Sequence, residues 1–264
     1  MKYYNIKVLP DQVNGDVSPV IDADASHNAF AAGDLLFDWT AFYIPKGTSK
    51  LENVALYMNG GDGAAPVAGD IHLVFARDVD GVAPLTAGTI NSAGITSCFN
   101  LATNFLGGVV LEGTTTGVGK LKGPAHGAIY TTTRQMSNGA QIVSAMLEGE
   151  EETTRPGYSK VYVCGIAEGS FVFQTNVLSN AAVSDATAAT ATTGIVVKTG
   201  DARKTFQKGD TVYIHDVDVA IGVVKSVPDA THIILESANV GAIAENDEFI
   251  NANPIKISLG LSQG

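Results

Sequence analysis

Apolar and polar residues alternate with a period of two along much of the chain. In TVYI, Val212 and Ile214 share one face, and in AIGV, Ile221 and Val223 do the same. That is the period of a strand with one side buried. Such runs predict strands at Tyr3 to Val8, Leu35 to Ile44, Lys50 to Met58, Asp70 to Arg77, Gly108 to Glu112, Ala128 to Thr133, Lys160 to Gly165 and Ser170 to Val177. Between them stand the turn signals Pro45-Lys46-Gly47, Asn59 to Gly63, Asp80-Gly81 and Asn138-Gly139, rich in residues that accept positive φ or bond to their own backbone.

Two stretches break the rhythm. In ITSCFNLATNFLGG, the positions Cys98, Leu101, Ala102, Phe105 and Leu106 fall at helical spacing, with Ser97 placed to cap the start and Gly107 to end it. This predicts a short helix lying on a sheet. Between Ala140 and Leu147, the residues Ile142, Val143 and Met146 fit one helical face, but the acidic run Glu148 to Glu152 would then meet the negative end of the helix. A strand leading into a solvated loop is the alternative.

The composition then shifts. Residues 179–193, SNAAVSDATAATATT, carry little apolar surface to offset the entropy of ordering and read as a linker. Beyond them, strands are predicted at Gly194 to Thr199, Thr211 to Ile214, Ala220 to Val227, His232 to Glu236 and Pro254 to Leu259. The expected fold class is all-β with one or two short helices. Residues 1–178 would form a jelly-roll-like β-sandwich with an N-terminal arm over about 1–34, and residues 194–264 a small β-barrel. With 29 glycines, abundant Thr and Val and only 16% charged residues, the 264-residue chain suits many short strands better than a helical bundle.

Charge narrows the partners. Sixteen basic against 27 acidic residues give a net charge of −11, and the loose cluster Lys198, Arg203, Lys204 and Lys208 falls short of a nucleic-acid-binding stripe. Nucleic acid is not an expected partner. The opening MKYYNIKVLPDQVNG lacks the apolar core of a signal peptide, and no run reaches the roughly 20 apolar residues of a membrane helix, so no membrane partner is expected. Cys98 and Cys164 match no metal spacing and read as buried thiols, with a single disulfide left open.

Candidate chemistry lies in a few short polar stretches. His215, Asp216 and Asp218 sit together, but the polar piece between two strands is where a tight reversal belongs, and a metal site needs a further ligand that is not nearby. The stretch from Asp22 to Asp34 begins like a calcium loop, with Asp22, Asp24 and Ser26. It then places His27 where glycine is required and Gly33 where a bidentate glutamate is required. Asp78 to Gly81 reads as a hairpin turn. His27, His72, His126, His215 and His232 match no catalytic or zinc spacing, and GTTTGVGK, Gly113 to Lys120, lacks the ending of a phosphate-binding loop. No residue qualifies as catalytic, cofactor-binding or metal-ligating, so no cofactor and no enzymatic activity are expected.

The terminal module, KGDTVYIHDVDVAIGVVKSV to PIKISLG, resembles small barrels of the SH3-like type. Together with the linker AAVSDATAATATT and the opening MKYYNIKVLPDQVNGDVSPVIDADASHNAFAAGD, it resembles structural proteins of tailed-phage virions, and among them a capsid decoration or cement protein. That resemblance implies a non-enzymatic protein on the capsid exterior, made in the host cytoplasm. Its partners would be the major capsid protein or other virion subunits, and it would be a homo-oligomer, a trimer as first expectation. A tail-tube or baseplate protein shares the composition. A carbohydrate-binding module or adhesin would need exposed aromatics, for which Trp39, Tyr43 and Tyr57 are candidates. A glycosidase or lyase needs only two carboxylates at a suitable separation, which spacing in sequence does not reveal.

Overall fold

The structure is a computed structural model, and it describes residues 1–10, 29–59, 69–95, 102–113, 120–121, 127–132, 135–136, 139–140, 145–169, 171–172, 178–179, 194–197, 200–214, 219–239, 243 and 247–264. The chain begins with β1 (Lys2–Val8), β2 (Ala29–Phe30), β3 (Leu35–Pro45), β4 (Ser49–Asn59), β5 (Asp70–Arg77), β6 (Phe105–Leu111), β7 (Lys120–Leu121) and β8 (Gly127–Thr131). It continues with β9 (Gln135–Met136), β10 (Gly139–Ala140), β11 (Met146–Leu147), β12 (Tyr158–Glu168), β13 (Phe171–Val172) and β14 (Leu178–Ser179). The remainder holds β15 (Gly194–Val196), the single-turn helix α1 (Ala202–Thr205), β16 (Thr211–Ile214), β17 (Val219–Ser226), β18 (His232–Leu235), β19 (Glu248–Asn251) and β20 (Ile255–Gln263). The protein is all-β, as its sequence pattern predicts.

Two antiparallel sheets enclose the main core. The first runs β1-β20-β4-β8-β7, with β11 also on β4, and the second runs β3-β12-β5-β6. Alternation puts Val54, Leu56 and Met58 of β4 and Ile257 and Leu259 of β20 on the inner side of the first sheet. They meet Phe42, Ile44, Leu73, Phe75, Val161 and Val163 of the second. Phe42 and Phe75 pack edge to face, ring centroids 6.3 Å apart at 80°. One bulge keeps the alternation in phase: Gly260 faces Asn53 and Leu261 faces Leu51, so Glu52 is the extra residue and both Leu51 and Val54 turn inward.

The second sheet is buried on both faces. The run from Val161 to Gly165 in β12 is buried at every position, which requires a cover on the outer side. Residues 83–95 supply it as a strap. Leu35 N–H donates to Ser92 O (2.8 Å), Asn91 N–H donates to Leu35 O (2.9 Å), and Trp39 Nε1 donates to Leu85 O (2.8 Å). The carboxylate of Asp38 accepts from Ala87 N (2.8 Å) and Thr86 Oγ1 (2.7 Å). Under the strap, Leu35, Ala87 and Cys164 form a small apolar cluster with Trp39, Val74, Ile95 and Ile166 against it.

A second unit has its own core, with Ile195, Phe206, Val212, Ile214, Ile221 and Phe249 among its members. Its strands form an open six-stranded sheet, β14-β19-β16-β17-β18-β15, rather than the expected closed barrel. The unit is also not terminal. The last strand, expected within it, leaves to pair in the sandwich with β1 on one side and β4 on the other. The first and last strands of the chain lie side by side, Lys2 opposite Gln263, and the second unit is an insertion ahead of β20. Ladder pairing between positions 249 to 261 residues apart decides this, and the alternation of IKISLG is equally compatible with either sheet.

Other expectations meet mixed outcomes. The expected arm over 1–34 begins instead with β1, a sheet strand, while residues 11–28 lie outside the described residues. Of the expected helix, residues 96–101 also lie outside, residues 102–104 form a turn, and Phe105 and Leu106 open β6 as an extended strand on β5. At Ala140 to Leu147 the strand alternative holds at both described ends, where Ala140 pairs with Gln135 and Met146 and Leu147 pair with Lys50 and Ser49, while residues 141–144 lie outside the described residues. Linker residues 180–193 lie outside the described residues.

Candidate functional site

Among the described residues, none is strapped over the outer face of the first sheet. Its outward residues form rows across three strands: Asn5 beside Gly260 beside Asn53, then Lys7 beside Ser258 beside Ala55, then Lys256 beside Tyr57. Two hollows lie on these rows. One, of about 430 Å³, is bounded by Tyr3, Asn5, Glu52 and Asn53, and the other, of about 390 Å³, by Lys7, Leu9, Tyr57 and, from the second unit, Gln207 and Lys208. The row of Asn5, Gly260 and Asn53 in the first hollow adjoins the row of Lys7, Ser258 and Ala55 in the second, so the two lie end to end along one face, a trough in two parts. Small residues make its floor. The Asn53 amide lies over Gly260, where an added Cβ would fall 2.5 Å from it and push that amide aside.

One end of the trough is closed by a buried polar knot between the two units. Lys256 Nζ lies 2.9 and 3.0 Å from the two carboxylate oxygens of Asp210, whose side chain is wholly buried. The same carboxylate accepts from Gln207 N (2.9 Å) and Asn251 Nδ2 (2.7 Å), and Asn251 Nδ2 also donates to Thr205 O (2.7 Å). Asn253 extends the knot, accepting from Thr211 N (2.8 Å) and donating to Pro10 O (3.0 Å). Burial pushes the Asp210 carboxyl up, against the pull of Lys256, and burial likewise pushes the Lys256 amine down. The Tyr57 hydroxyl is held above its ordinary value by burial and then by the Asp210 charge. Asp210 is thus engaged within the protein, and Lys7 and Lys208 set the charge of this end. At the opposite end Glu52 accepts from Ser262 Oγ (2.7 Å) and Lys50 Nζ (3.2 Å).

The residues singled out from sequence are scattered. His215, Asp216 and Asp218 lie outside the described residues, but Ile214 pairs with Val219, so the segment joins two strands of a hairpin as expected. Asp22 to His27, His126 and Cys98 also lie outside. Asp78 to Gly81 is a hairpin turn: Val79 and Val82 exchange both backbone hydrogen bonds (3.0 Å each), and Asp80 and Gly81 have φ of 53° and 73°. Glu150 of the acidic run caps this turn, accepting from Asp80 N (2.6 Å) and Gly81 N (2.7 Å), and Glu151 binds Lys46 (2.6 Å). His72 faces Glu168 at 3.6 Å, and His232 Nδ1 bonds Asp229 at 2.8 Å. Among the described residues, no group of three His, Cys, Asp or Glu side chains converges as a metal site.

Of the basic cluster, Arg203 is paired to Asp201 (2.8 Å), Lys198 lies outside the described residues, and Lys208 reaches the trough. Cys164 is a free buried thiol whose pKa is pushed up by that burial. Of the three aromatic candidates, Trp39 is held by the strap and Tyr43 lies under Arg155, 4.2 Å from its ring, whereas Tyr57 lines the trough. Lys7, Asn5, Asn53 and Lys256 were not singled out from sequence. Each sits at an outward position of an alternating strand, but their adjacency depends on β1, β20 and β4 pairing.

No protein-family model matches the chain, and no curated protein matches its sequence. Among solved structures, a chain from the structure of deformed wing virus, a honeybee pathogen, aligns at 10% identity over 88% of this chain and 71% of that one, with a TM-score of 0.17. At that score the likeness carries no argument about fold or function.

Proposed function

We propose that this protein is a non-enzymatic virion structural protein that binds and stabilises a phage capsid lattice as a decoration protein, assembled as a homotrimer. The observation that carries the reading is the edge strand β6. Its sequence FLGGVVL has no charge and no proline, two of the devices that keep a sheet edge from pairing with another chain, although a bulge opposite Phe75 and Ala76 interrupts its ladder. Among the described residues its strand partner is β5. Phe105 on β6 is 51% exposed, and Met146 on the adjacent β11 is 52% exposed. An uncharged edge with apolar side chains beside it suits strand addition to or from a neighbouring subunit, and a repeated heterologous contact whose rotation is a third of a turn closes into a ring of three.

The test is a mass measurement of the purified chain, followed by co-sedimentation with capsid shells. A trimer that sediments with shells, and that falls to a folded monomer on Val110→Lys, is the expected result. A hexameric ring would favour a tail-tube protein, and a solitary wild-type monomer that ignores shells would end the proposal.

A further inference from the structure

The trough on the outer face of the first sheet has the chemistry of a ligand site and goes beyond the assembly reading, on which it does not depend. We propose that it binds an acidic oligosaccharide, with a carboxylate or sulfate of the sugar between Lys7 and Lys208 and neutral rings laid toward Asn5, Asn53 and Tyr3. From Tyr3 to Lys7 the strand spans ~13 Å, at about 3.3 Å per residue, long enough for a short saccharide chain.

Three features select this class of ligand. The first is charge. Lys7 and Lys208 line one hollow in a chain of net charge −11, no described residue lining it is acidic, and Asp210, held by Lys256 of the same lining, is buried and also engaged by Asn251 and the Gln207 amide. The second is the set of hydrogen-bonding groups. Asn5 accepts from Ser258 Oγ (2.7 Å), which leaves its amide N–H groups as donors, and Asn53 presents a side-chain amide beside it. Planar amides and a hydroxyl over a floor of glycine, serine and alanine match sugar hydroxyls. Tyr3, 74% exposed at one end, and Tyr57 at the other offer ring faces for the apolar sides of sugars.

The third feature separates a sugar from its main rival, an acidic peptide. Hydrogen bonds in a sheet lie in its plane, and the ladder groups of β20 and β4 beneath the trough are already paired on both sides. A peptide laid on this face would leave its own backbone N–H and C=O groups without sheet partners. A sugar has no such obligation, because its hydroxyls are served by side chains pointing out of the sheet.

The probe is an array of oligosaccharides bearing uronic acid, sialic acid or sulfate, printed beside their neutral counterparts, with hexaglutamate as the peptide rival. The full chain is expected to be retained by acidic members and not by neutral ones. Retention should fall at least tenfold in the double variant Lys7→Ala and Lys208→Ala and in Asn53→Ala, and should persist in Trp39→Phe, whose ring is outside the trough. Circular dichroism would confirm that each variant folds, and Lys7→Arg should restore part of the binding. The proposal is overturned if no acidic glycan is retained, if neutral glycans bind equally, if hexaglutamate competes best, or if the folded double variant binds as wild type does. None of these outcomes bears on whether the chain trimerises or joins a shell.

Discussion

The two sheets of the sandwich share one core but treat their outer faces differently. On the second sheet, residues 83–95 are strapped over β3 and β12 by backbone hydrogen bonds and by Asp38, and β12 is apolar on both sides. On the first sheet, β20 alternates buried and half-buried residues, IKISLG, and of its outward residues Ser258 and Gly260 lie in the trough while Lys256 enters the knot. A strand with two buried faces is spent on stability, because every side chain is packed. A strand with one open face leaves half its side chains to do something else, and here these include two amides, a hydroxyl and Lys7, lying in a trough.

The sharpest way to break this comparison is to place the same charge on each face. Cys164→Asp would bury a carboxylate with no partner beneath the strap and should cost about 3–5 kcal/mol, read as a fall in urea midpoint. A loss under 1 kcal/mol would mean that the strap opens readily. Next, Lys256→Ala acts where the open face disappears under the second unit. It strands Asp210 in the knot and should cost about 3–5 kcal/mol, with the second unit becoming the earlier to melt by hydrogen exchange. Because the knot joins the units, equal loss of protection in both would sharpen the picture to a single cooperative body.

Smaller effects follow. Asp38→Ala removes the acceptor of two strap hydrogen bonds and should cost about 1–3 kcal/mol; peptide mapping after thiol labelling should show Cys164 becoming reactive. Asn5→Asp, on the open face, should change stability by no more than about 0.5 kcal/mol. The smallest effect lies off both faces. The hydrogen bond from His232 holds Asp229 at about 2 against its ordinary 3.8. A depressed carboxylate contributes stability that is present above the unfolded value and lost as pH falls through the folded one. The window is therefore between 3.8 and about 2, and carbon-detected NMR should place the Asp229 midpoint at its lower end. His232→Ala should return that midpoint toward the ordinary value.

Strand positions were largely legible. Asp70 to Arg77 and Thr211 to Ile214 match the observed β5 and β16 at both ends, and the other main strands differ by a few residues. Local alternation suffices for this, since a strand's own sequence records which side is wet. The helical spacing around Phe105 misled because four or five apolar residues fit two periods, and pairing with β5 decided between them. The candidate site was almost illegible. Lys7 and Lys208 are 201 residues apart, and nothing local to either marks the other.

By itself, then, the sequence determined the class of the fold, the place of most main strands, the Asp78 to Gly81 turn and the negative charge, all of which follow from neighbouring residues and their solvation. It did not show the bulge in β17 that buries Ile221 and exposes Val223, a pair that alternation puts on one face. The tertiary structure alone decided that the last strand belongs with the first, that the second unit is an insertion, that one sheet is strapped and the other open, and that two distant lysines share a trough. The reason is physical. A strand edge offers the same N–H and C=O groups to any partner, and the choice among partners is made by the energy of the whole packed core.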